Sequence, residues 1–264
     1  MKQLRKLLVL IAVLCFIPGI VGAQELNPIL VYVKGEPIEF TEESQMLARD
    51  GRICLPVRKI SEKMDYKVDW NDKDRAVTLT NGEKTVTVRV DKNEYTANGE
   101  KKTMDVAPFI KNNRTYLPMR FIGEALGEKV EWDEANRVAI FGEYPINQKV
   151  DGETIQISPN AEVTIPKDLK DKVIYGRDKD MGLVLFEKQN HETQWNGMLG
   201  NFVLVDYPEH EVPCYLVGKV DGKYLMFYYV SDVQCDINNE ALVKAYQEAR
   251  ERVPEIVSTV QIAK

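Results

Sequence analysis

The chain has 264 residues, 44% of them hydrophobic, with 35 basic and 41 acidic side chains. This length and apolar content are enough for one or two hydrophobic cores. A formal charge of −6 argues against nucleic acid as a partner, because phosphate backbones are held by clustered Lys and Arg.

Residues 1–23 have the pattern of a signal peptide. Three cations precede an apolar run over residues 7–21, which is short and is interrupted by Pro18 and Gly19. These features favour a cleaved signal over a membrane span. Loss of the three cations lowers the formal charge from −6 to −9. We therefore expect a secreted, extracellular protein associated with the cell envelope, with no integral membrane span after cleavage.

One stretch of the chain occurs twice. Residues 50–80 and 112–142 align without a gap. The identical pairs are Arg52/Arg114, Leu55/Leu117, Pro56/Pro118, Arg58/Arg120, Ile60/Ile122, Glu62/Glu124, Lys67/Lys129, Val68/Val130, Trp70/Trp132 and Arg75/Arg137. Two copies of about 60 residues indicate a duplicated unit within one domain, since solenoids need three or more repeats.

Each copy predicts a strand, a helix and a hairpin. Pro56 and Pro118 suit the first turn of a helix. The apolar residues that follow recur at helical spacing, and they are Val57, Ile60 and Met64 in one copy and Met119, Ile122 and Leu126 in the other. Gly127 suits the position that ends such a helix. The alternating KVDW and KVEW segments and the runs after them predict paired strands.

The LPxR and KVxW motifs in both copies resemble the copper amine oxidase N-terminal domain, or stalk domain, over residues 29–143. In bacteria this family recurs in secreted and cell-envelope proteins that have no oxidase attached. The resemblance implies that oxidase chemistry lies in a separate domain with three histidine ligands and a tyrosine-derived quinone. This chain contains only His191 and His210, both outside the copies. We therefore expect no copper, no other cofactor and no amine oxidase activity.

The second half predicts another sheet. Residues 144–160 are rich in turn residues and predict a linker, and residues 161–264 predict a small α+β domain of unknown function. Asp221-Gly222 predicts a hairpin, and Asn238 or Asn239 would cap a C-terminal helix. This half is weakly similar to small uncharacterised domains of secreted Gram-positive proteins, which lends it no activity. The predicted fold class is α+β: a duplicated strand-helix-hairpin domain followed by an antiparallel sheet with a C-terminal helix.

The three tryptophans are candidates for ligand contact. Trp70 and Trp132 could stack on sugars, but their identical place in the two copies favours two core residues. Trp195 lies in a polar loop that contains glycine, where it would be either an exposed contact residue or a loop anchor.

Charged and metal-ligating residues give weaker signals. Arg58 with Glu62, and Arg120 with Glu124, could bind a ligand carboxylate, but an intrahelical ion pair in each copy is the simpler interpretation. A metal site could combine the two histidines with Cys214 and either Glu209 or Glu211, but this spacing matches no familiar ligand pattern. We therefore predict no catalytic, cofactor-binding or metal-binding residues.

The cysteines outside the signal segment have two interpretations. Cys54 stands where the second copy has Tyr116, which predicts a buried free thiol. Cys214 and Cys235 flank the predicted hairpin, and an exported protein permits a disulfide between them, although the turn brings Cys214 opposite a residue near Tyr229.

These observations predict a secreted, non-enzymatic stalk module that mediates protein or cell-wall interaction, with an envelope or surface protein as the expected partner. One alternative is a small hydrolase or a metal-dependent activity in the C-terminal domain. Another is a small-ligand binding protein with a site between the domains. A cleft with converging titratable groups would favour the enzyme, and an exposed apolar patch would favour the binding module. The sequence predicts no particular oligomeric state.

Overall fold

The computed structural model describes residues 28–82 and 84–263. The predicted signal peptide lies outside these residues. Strands account for 44% of the described residues and helices for 20%, and the strands form five mostly antiparallel sheets. The predicted α+β class is therefore wrong, and the protein is mostly β. The helices of the two copies are only about two turns long, whereas the polar segments between the copies pair as additional strands.

The elements of the first half follow in chain order. Its strands are β1 (Leu30–Val33), β2 (Glu36–Pro37), β3 (Leu47–Arg49), β4 (Arg52–Pro56), β5 (Lys67–Asn71), β6 (Ala76–Asn81), β7 (Lys84–Arg89), β8 (Glu94–Ala97), β9 (Glu100–Thr103), β10 (Phe109–Lys111), β11 (Arg114–Pro118), β12 (Val130–Asp133) and β13 (Val138–Phe141). Its helices are α1 (Val57–Lys63) and α2 (Met119–Leu126), with a 3-10 turn at Glu42–Ser44.

The hairpins of the two copies enter different sheets. The strand order is β5-β6-β7-β8-β9 in one sheet and β12-β13-β1-β2 in another. The segment between the copies does not join them in one sheet. The strands after β6 extend the first hairpin, whereas β13 pairs in parallel with β1. Strand β1 is buried along its whole length because its side chains alternate between two apolar layers.

The two copies meet where β4 pairs with β11 in a third sheet, of order β10-β11-β4-β3. Leu55 lies opposite Leu117, which is its counterpart in the other copy. The apolar stripes of α1 and α2 are buried in the core beside this pair, as predicted. Gly127 ends α2 with a φ of 72°, a left-handed conformation that glycine adopts without a Cβ clash.

The second half has its own core. Its strands are β14 (Gly152–Ser158), β15 (Ala161–Pro166), β16 (Val173–Asp178), β17 (Gly182–Glu187), β18 (Met198–Val205), β19 (Cys214–Val220), β20 (Lys223–Tyr229) and β21 (Gln261–Ile262). Its helices are α3 (Lys188–Gln194), α4 (Glu240–Glu251) and α5 (Val253–Ser258), with a 3-10 turn at Lys167–Leu169. The sheet orders are β14-β15-β21 and β16-β17-β18-β20-β19.

Local signals in this half agree with the structure. Asp221 and Gly222 both have positive φ and connect β19 to β20, and the Asn239 side chain caps α4. Strand β14 lies inside the segment predicted as a linker, and Tyr144 and Ile146 of that segment pack against the second core.

A third hydrophobic cluster joins the halves. It contains Leu30, Tyr32 and Val138 from the first half and Cys214, Leu216, Tyr224 and Met226 from the second. The Tyr32 hydroxyl donates to the Pro208 carbonyl at 2.6 Å, and the Leu216 amide donates to the Gly35 carbonyl at 2.7 Å. The two halves therefore share buried surface as well as a chain connection. None of the helices in the described part of the chain is long and apolar enough to cross a membrane.

Candidate binding sites

The structure places the tryptophans of the two copies in different environments. Trp70 is 39% exposed, so the prediction that it is a core residue is wrong. Trp132 is half-buried, packs against the first core and donates its indole N–H to Glu134. The helices beside them also differ, because Lys59 of α1 stands where α2 has the buried Phe121.

A groove of about 690 Å³ opens beside Trp70. We call it the Trp70 groove. Its apolar walls are formed by Pro56, Val57, Val68, Trp70, Val77 and Ile110. Its polar lining is formed by Thr41, Ser44, Arg58, Lys59, Glu62, Asp72, Asn113, Arg114 and Thr115. The groove therefore combines side chains from both copies, since α1 and β5 belong to the first and β11 to the second.

The arginines of the groove are fixed by partners. Arg58 donates to Glu62 at 3.0 Å and to the Val68 carbonyl at 3.0 Å, which confirms the ion pair predicted for the first copy. Arg114 donates to Glu43 at 3.0 Å. No ion pair joins Arg120 to Glu124 among the salt bridges of the described residues, so that prediction is wrong for the second copy. Two paired guanidinium groups give the groove directed donors with little net charge.

Trp195 lies at the C-terminal end of α3 with a φ of 55° and is 87% exposed. A left-handed conformation is unfavourable for a bulky side chain, and this side chain gains little from burial. Unfavourable backbone geometry of this kind clusters at functional sites. Of the two interpretations of Trp195, this exposure excludes a buried loop anchor, and a role as a contact residue stays a prediction.

The loop that follows Trp195 is hydrogen-bonded to a second loop that carries exposed apolar residues. The Gly197 amide donates to the Gln234 carbonyl at 2.8 Å, which joins the loop after α3 to the loop before α4. In the second loop Val233 is 49% exposed and Ile237 is 73% exposed. We call Trp195, Val233 and Ile237 the Trp195 patch. The same segments also carry acidic residues, and they are Glu192, Asp232, Asp236 and Glu240.

The histidines serve in aromatic contacts at separate places. His191 packs against Phe186 with ring centroids 4.3 Å apart, and His210 meets the edge of Tyr32 at 6.1 Å. Within residues 28–82 and 84–263, no three side chains of His, Cys, Asp or Glu are grouped so that they could hold a metal ion. Glu187, which the sequence analysis did not single out, is buried and accepts the Gln189 and Asn190 amides at the start of α3.

Cys54, Cys214 and Cys235 are buried free thiols, and Cys214 and Cys235 form no disulfide. Burial raises the pKa of Cys54 and of Cys214 to about 11. Thiols with so high a pKa are protonated at neutral pH, and the thiolate is the reactive form. These cysteines therefore act as small apolar core residues.

A smaller cavity of about 310 Å³ lies where the two halves meet. Its lining includes Tyr144, Lys129 and Glu131 on one side and Leu216 and Lys219 on the other. Desolvation raises the pKa of Tyr144 well above its usual value, so its hydroxyl stays a neutral donor and acceptor. The alternative site predicted between the domains would lie in this region.

The fold and these surfaces define a mostly-β protein with an exposed aromatic patch and an aromatic groove. A protein-family model described as "Copper amine oxidase N-terminal domain" matches residues 32–141. The match confirms the resemblance for the first half of the chain. It concerns a domain that is non-catalytic in the oxidases.

A curated relative named "Protease inhibitor", from Brevibacillus choshinensis, is 27% identical over 78 residues. The alignment covers 30% of this chain and 24% of the relative. The chain therefore spans about a quarter of the length of the relative that it matches.

Proposed function

We propose that the protein is a secreted, non-enzymatic module of the cell envelope that binds a surface protein through the Trp195 patch. The observation that carries this proposal is the exposure of Trp195 in a left-handed backbone conformation. Tryptophan is enriched among the residues that dominate binding energy at protein interfaces. A large side chain in this position supports a role in contact with a partner, since the fold gains little from it.

The charges around the patch indicate the partner's surface. Glu192, Asp232 and Glu240 are exposed, and Asp236 is half-buried. An apolar centre with an acidic rim fits a partner that offers an apolar pocket among Lys and Arg, because complementary rims speed encounter and disfavour other partners.

The family-matched half would act as a spacer that holds the patch. The cluster formed by Tyr32, Leu216 and Tyr224 fixes the second half against the first, which supports a stiff connection between them. Residues 1–23 support export, and the recurrence of stalk domains in secreted proteins supports an envelope location. The relative named "Protease inhibitor" suggests one class of protein partner, a protease.

The test is capture of surface proteins from isolated cell envelopes by the purified protein, followed by affinity measurement with each captured partner. Trp195→Ala should weaken binding by at least tenfold. Met181→Ala, which alters an exposed apolar residue elsewhere, should leave binding unchanged. Inhibition assays with a panel of proteases test that class of partner: inhibition of a protease supports it, and no inhibition excludes the proteases tested. Equal affinity of Trp195→Ala and the parent protein would refute the proposal.

A second candidate function is small-ligand binding in the cavity where the halves meet. Its volume lies near the lower end of the range for ligand pockets, and Tyr144, Lys129, Glu131 and Lys219 supply polar groups to its lining. A thermal-shift screen of small anionic and zwitterionic compounds tests it, with Tyr144→Phe as the variant that should lose any stabilisation. The hydrolase alternative for residues 161–264 stays a prediction that an activity screen would test.

A further inference from the structure

We propose that the Trp70 groove is a binding site for a neutral glycan built of N-acetylated amino sugars. This inference rests on the proposed envelope function and names a ligand that the first half would bind there. It uses a different surface from the Trp195 patch, so each can fail without the other.

The groove offers surfaces that complement the two kinds of surface on a sugar ring. A pyranose has an apolar face of C–H groups and a rim of hydroxyl groups. Trp70 offers an exposed indole for the apolar face, and the groove is large enough for a ligand of more than one ring. Arg58, Asn113 and Thr115 line the same groove and offer donors and acceptors for the hydroxyl rim.

The charges of the groove favour a neutral ligand. The guanidinium of Arg58 is bound to Glu62, and that of Arg114 is bound to Glu43. A polyanion would have to compete with these carboxylates and would also face the net negative charge of the chain. Neutral hydroxyl and amide groups can instead accept from the donors that these arginines leave unused.

One pair of residues fits the acetamido group. Ile110 is 40% exposed and lines the groove together with Asn113. The acetyl methyl can pack on Ile110, and the amide of Asn113 can both donate to and accept from the acetamido N–H and C=O. An unsubstituted glucose polymer lacks the acetamido group that would contact Ile110 and Asn113.

The second copy provides a natural comparison. Trp132 holds the same place in its copy, but it is half-buried and its indole N–H is bound to Glu134. Its ring is therefore less available to a ligand, and we expect one glycan site rather than two. Trp132→Phe is the matched control for substitutions of Trp70.

The experiment is a calorimetric titration of the full mature chain with chitotetraose, the tetramer of β-1,4-linked N-acetylglucosamine. We expect saturable binding that Trp70→Ala weakens by at least tenfold and that Trp70→Phe partly retains. Ile110→Ala should weaken binding of chitotetraose and leave any binding of cellotetraose, the glucose tetramer, unchanged. Trp132→Phe and Trp195→Ala should bind as the parent does.

Fluorescence gives a second readout that depends on contact with Trp70. The chain has three tryptophans, so the double variant Trp132→Phe, Trp195→Phe leaves Trp70 as the single reporter. Its emission should shift to the blue when chitotetraose is added. This readout needs no variant of Trp70, so it tests the inference even if Trp70→Ala fails to fold.

Three results would overturn the inference: no binding of chitotetraose, equal binding by a folded Trp70→Ala variant, or binding of a polyanion or a peptide in the groove instead. If chitotetraose fails to bind while Trp195→Ala still weakens partner binding at least tenfold, this inference falls and the proposed function stands. If chitotetraose binds at Trp70 while Trp195→Ala captures partners normally, the proposed protein contact falls and the glycan site stands.

Discussion

Leu55 and Leu117 lie directly opposite each other where β4 pairs with β11, and both are fully buried. They hold the same place in the two copies, so an approximate two-fold axis passes between them. Two ion pairs follow the same relation: Arg52 with Asp105 at 2.6 Å and Arg114 with Glu43 at 3.0 Å. The two copies thus meet through one pair of equivalent leucines and through two corresponding ion pairs.

The first prediction concerns this pair. Leu55→Ala and Leu117→Ala should each lower the free energy of unfolding by about 2–5 kcal/mol, because each leaves a cavity in a packed core. The loss of unfolding free energy in the double variant should differ from the sum of the two single losses, since residues in contact are not independent. Urea unfolding measures these values. Ile110→Ala, at an exposed position, should stay within about 0.5 kcal/mol of the parent. If either leucine variant lost less than about 0.5 kcal/mol of unfolding free energy, the central place of the pair would be contradicted.

The second prediction concerns a hydrogen bond between the halves. The Tyr224 hydroxyl donates to Asp133, and this bond holds the pKa of that carboxyl below its usual 3.8. A carboxyl whose pKa is lower in the folded state stabilises the fold above its unfolded pKa, and this stabilisation is lost as the pH falls through the folded pKa. Tyr224→Phe should therefore cost about 1–3 kcal/mol at pH 7, and the difference from the parent should shrink as the pH falls below 3.8.

Urea unfolding at pH values from 7 down to 2 measures this difference. Asp133→Asn is the companion variant, because its side chain has no carboxyl to titrate in this range. In the Asp133→Asn background, the effect of Tyr224→Phe on stability should change little with pH. A difference between the parent and Tyr224→Phe that stays constant to pH 2 would refute the role of the ionised carboxylate.

The third prediction concerns the backbone at Trp195. Its φ of 55° is costly for tryptophan, whereas glycine adopts this conformation readily. Trp195→Gly should therefore raise the free energy of unfolding by about 0.5–1 kcal/mol while it removes partner capture. Unfolding and capture are measured on the same preparation. Gly127→Ala, at a φ of 72°, is the reverse control and should be destabilised. A destabilised Trp195→Gly would show that the indole stabilises the fold.

Local signals in the sequence were reliable where the deciding interaction is close along the chain. The buried stripes of α1 and α2, the turn at Asp221-Gly222 and the cap at Asn239 each depend on residues within one or two turns. Proline and glycine positions and apolar spacing are enough to predict such features. The matching LPxR and KVxW motifs were likewise sufficient to predict the family of residues 32–141.

The candidate sites were harder to predict from the sequence. The polar loop of Trp195 left exposure and anchoring both open. The loop that carries Ile237 is joined to it by a hydrogen bond between Gly197 and Gln234, which are far apart in sequence. The Trp70 groove combines α1 and β5 with β11, and identical sequence motifs gave no reason to expect Trp70 and Trp132 to differ.

The sequence by itself determined the two copies, their short amphipathic helices and the turns and caps, because each depends on local chemistry. Only the tertiary structure decided that the protein is mostly β, that β1 pairs in parallel with β13, and that one copied tryptophan is open while the other is covered. A strand carries unsatisfied hydrogen-bonding groups on both edges, and its partner is chosen by packing among segments distant in sequence. That choice sets which surfaces remain exposed and therefore which can bind.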